Sequence, residues 1–130
     1  MSLVSIINEL TVSSMEKSIE FYKNIFNFKI EYTDGNPINW VQLKKDNLII
    51  MLEDYNAVTK EIENFPIKTN SSNIIKFEYD NFEEFKALYN NCKNEHCTFC
   101  MEYTETEYGK IEFGIYDLDK NIILVSFKNN

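Results

Sequence analysis

The sequence contains little glycine, proline, histidine or cysteine. Three glycines and two prolines in 130 residues leave little room for flexible linkers, and so few glycines exclude a glycine-rich phosphate-binding loop. The single histidine, His96, has no serine or aspartate nearby in a recognisable nucleophile motif. Three cysteines give no even disulfide framework, which is typical of a reducing compartment. We therefore expect a cytoplasmic protein.

Long apolar runs and excess positive charge are also absent. No stretch approaches the roughly 20 apolar residues of a membrane span, and the N-terminal residues carry no basic targeting region. The net charge of −8 repels phosphate backbones, so we expect neither a membrane nor a nucleic acid as partner. Such a charge either keeps the protein soluble or favours a cationic ligand.

The most informative feature present is an internal repeat. Tyr22 and Tyr89 each close an amphipathic segment that follows an apolar strand pattern. Later in each half a turn ends in asparagine, Asn47 or Asn121, and an apolar strand follows. Each copy is too small to bury a good core alone. We therefore expect one 130-residue domain with module 1 at about 1–53, a connection at about 54–72 and module 2 at about 73–130.

The periodicity predicts one helix and four strands in each module. Ser13 and Glu16 predict a capping box for the first helix, which should end near Ile25. Asp80 is expected to cap the second helix, which should end near Cys92. The predicted strands are about 4–12, 28–32, 38–43 and 48–53 in the first module, and 73–79, 98–103, 110–116 and 121–127 in the second.

Two segments resemble signatures of the vicinal oxygen chelate superfamily, which includes glyoxalases, bleomycin-resistance proteins and extradiol dioxygenases. Ser18-x-x-Phe21-Tyr22 followed by Phe26 and Phe28 is similar to its S-x-x-F-Y-x-x-x-L-G-F signature, with Asn27 in place of glycine. The run from Asp117 to Asn121 resembles its D-P-D-G-N ending, with leucine for proline and lysine for glycine. The resemblance implies an α+β fold of two tandem βαβββ modules, each curving into a half-barrel, and a homodimer.

Family enzymes hold a divalent metal on four strand positions, typically with His, Gln and Glu. The resemblance places these positions at Ile7, Ile74, Leu124 and Ile50, or at Met51 if the strand slips by one residue. None of these side chains offers the nitrogen or oxygen that a divalent ion requires. We therefore expect no metal and no cofactor, and we assign no catalytic residue.

Strand alternation then predicts which side chains face the concave side of each module. The predicted surface is an apolar floor with aromatic walls and several carboxylates, which suits an amphipathic or cationic aromatic ligand. An alternative is that the protein's own side chains fill this space, with the glutamates at its rim. The predicted ligand-binding residues are Glu9, Thr11, Trp40, Gln42, Ile50, Lys76, Glu78, Glu112, Tyr116 and Leu124.

Cys92, Cys97 and Cys100 with His96 suggest a zinc site, but Cys97 and Cys100 would face opposite sides of a regular strand. We favour half-buried cysteines beside an exposed histidine. The sequence thus predicts a metal-free small-molecule-binding protein of the bleomycin-resistance type. The alternative is a lyase or dioxygenase-type enzyme of the same superfamily with relocated catalytic residues, including a carboxylate base such as Glu9 or Glu78.

Overall fold

The computed structural model describes residues 2–66 and 73–128 of the chain. The chain divides into two compact units, one up to residue 67 and the other from residue 68 onward. Each unit builds its own four-stranded sheet. No helix within the described ranges has the length and apolarity needed to cross a membrane.

The first unit is a βαβββ module followed by a short helix. Its sheet has the order β1-β4-β3-β2, in which β1 runs parallel to β4 and the other neighbours are antiparallel. Its elements are β1 (Asn8–Val12), α1 (Met15–Phe26), β2 (Lys29–Asp34), β3 (Trp40–Lys45), β4 (Leu48–Asp54) and α2 (Tyr55–Glu61).

The second unit repeats this topology. Its sheet has the order β5-β8-β7-β6, and β5 runs parallel to β8. The predicted α+β fold of two tandem βαβββ modules is confirmed. The elements are β5 (Ile74–Tyr79), α3 (Phe82–Asn94), β6 (Phe99–Glu105), β7 (Lys110–Tyr116) and β8 (Ile122–Lys128).

Each sheet buries the face that its long helix covers. In the first unit, Tyr22 and Phe26 of α1 are almost fully buried, as are Val41 and Leu52 of the sheet. In the second unit the ring of Phe85 on α3 lies 5.5 Å from that of Phe113 on β7, measured between centroids. Burial of these large apolar side chains, each worth about 1.5 to 3 kcal/mol, stabilises the two helix–sheet layers.

The helix ends differ from the sequence prediction by one residue at their caps. Ser14, not Ser13, caps α1, and its hydroxyl accepts a hydrogen bond from the Lys17 backbone N–H at 3.4 Å. Asn81, not Asp80, caps α3, with its side-chain oxygen accepting from the Glu84 N–H at 2.9 Å. Adjacent residues with similar capping ability make this one-residue shift hard to resolve from sequence.

Asn27 ends α1 in the left-handed backbone region, with φ of 61°. Its N–H donates to the Lys23 carbonyl at 3.0 Å, and the Phe28 N–H donates to the Tyr22 carbonyl at 3.2 Å. This bond pattern closes the helix where the related signature has glycine, and asparagine is the residue that best replaces glycine in this backbone region.

Two elements depart from the sequence prediction. β1 begins at Asn8, and the preceding Leu3, Val4 and Ile6 are more than four-fifths exposed rather than paired in a strand. The predicted connection at 54–72 contains a helix, α2, whose N-cap Asp54 accepts from the Asn56 N–H at 3.0 Å. α2 is only seven residues long, so its periodic signal is weak. The remaining residues of the connection, 67–72, lie outside the described residues.

Candidate functional site

The first sheet has a second face, opposite α1, that carries most of the predicted site residues of this unit. Leu10 and Val12 of β1 are buried on the helix side, so Glu9 and Thr11 point to the other side. On β3 the same alternation buries Val41 and leaves Trp40 and Gln42 on the face with Glu9. The structure therefore brings four predicted residues, Glu9, Thr11, Trp40 and Gln42, to one face, which we call the open face of the first sheet.

Ile50 does not belong to this face, and its predicted placement is wrong. Ile50 pairs with Leu43 and is 5% exposed on the helix side, whereas Met51 pairs with Glu9 and Gln42 on the open face. Shifting a strand by one residue exchanges its two faces, so a small register error moves every side chain.

Unequal hairpin loops caused that error. The prediction aligned Asn47 with Asn121. However, the two hairpin loops differ in length. Two residues separate the last paired residues of β3 and β4, Lys45 and Leu48, whereas five residues separate those of β7 and β8, Tyr116 and Ile122. In the longer loop the Asp117 carboxylate accepts hydrogen bonds from the backbone N–H groups of Asp119 and Asn121, at 2.9 and 2.8 Å.

An acidic cleft of about 340 Å³ opens at one end of the open face. β1, β3 and β4 contribute side chains, α2 forms one wall, and the β2–β3 turn forms another. The volume lies in the range of small-molecule sites. The residues lining this cleft are Glu9, Asp34, Asn39, Trp40, Glu53, Ala57 and Glu61.

Glu53 is the buried charge of the cleft. It pairs with Thr11 on one neighbouring strand and with Trp40 on the other, and it is only 5% exposed. Burial raises the pKa of its carboxyl from 4.5 to about 7, and the nearby carboxylates of Glu9 and Glu61 contribute to the rise. A carboxyl group with this pKa is partly protonated at neutral pH. It can share a proton with the neighbouring carboxylates, and a cation bound nearby would stabilise its ionised form.

Trp40 is held beside these carboxylates. Its indole Nε1–H donates to Glu9 Oε1 at 3.2 Å, which fixes one edge of the ring toward β1. The ring is half-buried and lines the cleft. Gln42, two residues further along β3, points its amide toward β2, where its Nε2 donates to Glu31 Oε1 at 2.6 Å. An aromatic face next to clustered negative charge is the arrangement that attracts an organic cation.

Sequence reasoning missed five of the seven lining residues: Asp34, Asn39, Glu53, Ala57 and Glu61. Glu53 could have been predicted from the sequence, because the correct β4 register places it on the same face as Met51 and Glu9. Glu61 and Ala57 depend on α2, which was not predicted. Asp34 and Asn39 lie at the two ends of the β2–β3 turn, where the Asn39 N–H donates to the Asp34 carbonyl at 3.0 Å. The sequence alone does not show that this turn runs along the cleft.

The second sheet carries the other five predicted residues, and register places all of them on one face. Lys76 pairs with Leu124, Glu78 and Glu112 both pair with Ser126, and Tyr116 lies two residues beyond Gly114, which also pairs with Leu124. Glu112 is ion-paired with Lys110 at 3.6 Å. Ligand binding by this face stays a prediction.

Tyr116 already has a cationic neighbour on its own unit. The Lys120 ammonium lies 5.2 Å from the centroid of the Tyr116 ring. Gly114 makes room between strands, since a methyl group there would come within 2.8 Å of both Cys100 Sγ and Leu124 Cδ2. Lys76 and Glu78 are exposed.

The positions that the resemblance assigns to a divalent metal do not fit one. Ile7, Ile74 and Leu124 are aliphatic, and at the matching position of β4 the side chain on the open face is the thioether of Met51. Hard divalent ions take oxygen or imidazole nitrogen, which none of these supplies. Within residues 2–66 and 73–128, no group of three or more His, Cys, Asp or Glu residues is arranged to hold a metal ion.

Comparison with known proteins gives one family and many structural neighbours. The sequence profile of the glyoxalase-like domain matches residues 5–128. A search among curated proteins found no match.

Among solved structures, a hypothetical protein SA1046 from S. aureus is 21% identical, with a TM-score of 0.79 over 98% of this chain and 95% of that chain. A glyoxalase-related enzyme from Fulvimarina pelagi is 12% identical, with a TM-score of 0.81 over 98% and 89% of the two chains. A lactoylglutathione lyase from Agrobacterium tumefaciens is 16% identical, with a TM-score of 0.75 over 95% and 92%. At these identities the likeness shows the fold alone.

Proposed function

Because this chain belongs to the glyoxalase-like domain family of the vicinal oxygen chelate superfamily, we propose that it is a metal-free binding protein for a small cationic, amphipathic aromatic molecule. The acidic cleft of the first unit is the proposed site. Superfamily members include binding proteins as well as enzymes, so membership alone leaves the activity open. The observation that carries the proposal is a buried carboxyl, Glu53, beside an indole ring and two further carboxylates in one cleft.

The chemistry of the lining favours a cation over a neutral ligand. Glu9, Glu53 and Glu61 place three carboxyl groups around one cavity, and Asp34 adds a fourth. Glu53 in particular has lost most of its contact with water, so a ligand cation would replace the hydration that the carboxylate lacks. Trp40 supplies the flat surface for stacking and cation–π contact.

Binding of a cation is expected to release a proton. Glu53 has a pKa of about 7 because burial and neighbouring carboxylates disfavour its charge. A positive group nearby reverses the second effect and lowers the pKa again. Affinity for a permanent cation should therefore rise as the pH increases toward 7 and level off above it.

Fluorescence titration tests the proposed site. N-methylquinolinium, a permanent aromatic cation, should quench Trp40, the only tryptophan in the chain. Quinoline at about pH 8 is the matched neutral ring and should bind much more weakly. Equal affinity for the two compounds, or no quenching by either, would overturn a charge-based site; bleomycin-like glycopeptides extend the same screen.

Metal independence is part of the proposal, and the donor set supports it. Nickel, zinc or manganese ions should leave the melting temperature unchanged, since a ligand stabilises the native state only where it has a site. A metal-specific rise in melting temperature that persists when Cys92, His96, Cys97 and Cys100 are replaced would contradict metal independence.

We also propose that the protein is a cytoplasmic homodimer. All three cysteines are free thiols, as suits a reducing compartment. Leu3, Val4 and Ile6 expose a run of apolar side chains just before β1, and β1 is an edge strand of the first sheet. Light scattering should give twice the mass of the chain, and Ile6→Glu should shift the equilibrium toward monomer. A monomer at micromolar concentration would contradict the proposal.

The alternative function is catalysis by Glu53 as general base, in a lyase or dioxygenase-type enzyme. A carboxyl with a pKa near 7 in a cleft has the property that proton transfer at neutral pH requires. In lyase and oxygen-uptake assays, an enzyme of this kind would show a rate that rises through pH 7 and is lost in Glu53→Gln. Turnover that survives this substitution would exclude Glu53 as the base.

A further inference from the structure

The end of α3 brings two cysteines together by backbone geometry. His96 has a left-handed φ of 56°, and its N–H donates to the Lys93 carbonyl at 3.1 Å. The Cys97 N–H then reaches back to the Cys92 carbonyl at 2.9 Å. This pair of bonds is the Schellman motif, in which the residue after the left-handed one packs its side chain onto the last full turn of the helix.

In this chain both partners of that packing contact are cysteines. Cys92 faces the second sheet and is completely buried, whereas Cys97 is partly exposed. Their thiols are hydrogen-bonded to each other. Because the two backbone hydrogen bonds fix the chain path, the thiols stay together without help from a ligand.

The two thiols differ in acidity in the direction that a reactive pair needs. The hydrogen bond from the Cys92 thiol lowers the pKa of Cys97, against opposing effects of burial and the Glu95 carboxylate. The same hydrogen bond, followed by burial, raises the pKa of Cys92 far above its usual value. Cys97 is therefore the thiol that ionises first and the one that solvent reaches.

Cys100 is a separate thiol. Its Sγ lies over Gly114, on the face of the second sheet that carries Leu124, whereas α3 packs on the opposite face against Phe113. Burial raises the pKa of Cys100, so it is a poorer nucleophile than Cys97 at neutral pH. It thus serves as the internal control for any reaction of the pair.

We propose that Cys97 and Cys92 form a thiol–disulfide couple that is oxidised by low-molecular-weight disulfides. The Cys97 thiolate attacks one sulfur of the small disulfide, whose S–S bond breaks, and the departing thiolate takes up a proton. Cys92 then loses its proton and attacks the Cys97 sulfur, releasing the second small thiol. The protein loses two electrons and two protons, and two small thiols are formed.

Oxidised glutathione is the probe for a direct test on the intact, fully reduced chain. Intact-mass and peptide-mapping measurements should show loss of two hydrogen atoms and a Cys92–Cys97 cross-link, with no glutathione retained. Cys100→Ser should give the same cross-link at the same rate. Cys92→Ser should stop at a single glutathione on Cys97, because the second thiol is missing.

Cys97→Ser provides a second test if the Cys92→Ser variant does not fold. Cys97 is partly exposed, so its replacement should disturb the fold less than replacement of the buried Cys92. The Cys97→Ser variant should react far more slowly than the unmodified chain, by an order of magnitude or more. The proposal is overturned if the unmodified chain retains glutathione on Cys97, if the cross-link joins Cys97 to Cys100, or if Cys97→Ser reacts at the original rate.

Discussion

The two units share a topology but place different chemistry on equivalent faces of their sheets. In the first unit β3 and β4 oppose Trp40 to Glu53, and in the second β7 and β8 oppose Glu112 to Ser126. α2 follows β4 and walls the acidic cleft, whereas within the described residues nothing helical follows β8. One fold thus carries a cleft with a buried carboxyl in one copy and a face of exposed and ion-paired side chains in the other.

The two units also differ in the charge that they bury at equivalent positions of their sheets. Glu53 is buried among other carboxylates and has its pKa raised to about 7. Ser126, its counterpart, is a small neutral residue, and Glu112 has a lysine partner at 3.6 Å. Buried unpaired acids destabilise a protein, and they persist mainly where function requires them.

The largest expected effect is on the pH dependence of stability. A carboxyl whose folded pKa is raised stabilises the protein fully below its unfolded pKa of about 4.5, and that stability is lost as the pH rises through about 7. Glu53→Gln removes the loss. We expect it to raise the free energy of unfolding at about pH 8.5 by on the order of 3 kcal/mol, with little change at about pH 4.

Urea unfolding at the two pH values measures this effect. Glu112→Gln in the second unit is the matched control, because its partner Lys110 leaves no buried unpaired charge to remove. A Glu53→Gln variant with no gain at high pH would show that the two units do not differ in the way described.

Trp40→Ala should give the next largest change. Loss of one stacking or cation–π contact, with some buried area, should weaken binding of N-methylquinolinium by roughly 1 to 2 kcal/mol. Calorimetric titration is needed, since the fluorescent reporter is removed. Tyr108→Ala, an exposed aromatic of the second unit, should leave the affinity as it was.

Gly114→Ala tests the tighter packing of the second sheet. The added methyl would come within 2.8 Å of Cys100 Sγ and Leu124 Cδ2, the ends of side chains that can shift. We expect thermal unfolding to show a loss of about 1 kcal/mol. Gln42→Ala, at the equivalent place in the first sheet, opens space instead and loses its hydrogen bond to Glu31. Equal tolerance of glycine and alanine at position 114 would contradict the close packing.

Smallest of the four is the effect of single charges on affinity. Glu9→Gln should weaken cation binding by about 0.5 to 1 kcal/mol and reduce its salt dependence, while the neutral ring is unaffected. Glu78→Gln should act in the same direction but less, because Glu9 lines the cleft and Glu78 lies on the second sheet. A larger effect from Glu78→Gln than from Glu9→Gln would indicate that the cation binds at the second unit instead.

The fold was predictable because its signals repeat along the chain. Tyr22 and Tyr89 mark the same helix position twice, and the alternation of β1, β3, β5, β7 and β8 assigned nine of the ten predicted site residues to a face that the structure reproduces. That the two units act as one domain stays a prediction.

The cleft was not predictable to the same degree, because it depends on loop lengths and one short helix. Aligning Asn47 with Asn121 ignored the three extra residues of the β7–β8 loop, which reversed the face of Ile50 and hid Glu53. α2 is too short for its periodicity to stand out, so the wall that Glu61 supplies had no signal in the sequence.

Proton release on binding tests the central claim most directly. Titration of N-methylquinolinium at about pH 6.5, in buffers with different ionisation heats, reports how many protons leave when the cation binds. We expect a large fraction of one proton to be released by the unmodified chain and none by Glu53→Gln, because the cation restores the charge of a carboxyl with a pKa near 7. Binding heats that are the same in every buffer would contradict a ligand seated beside Glu53.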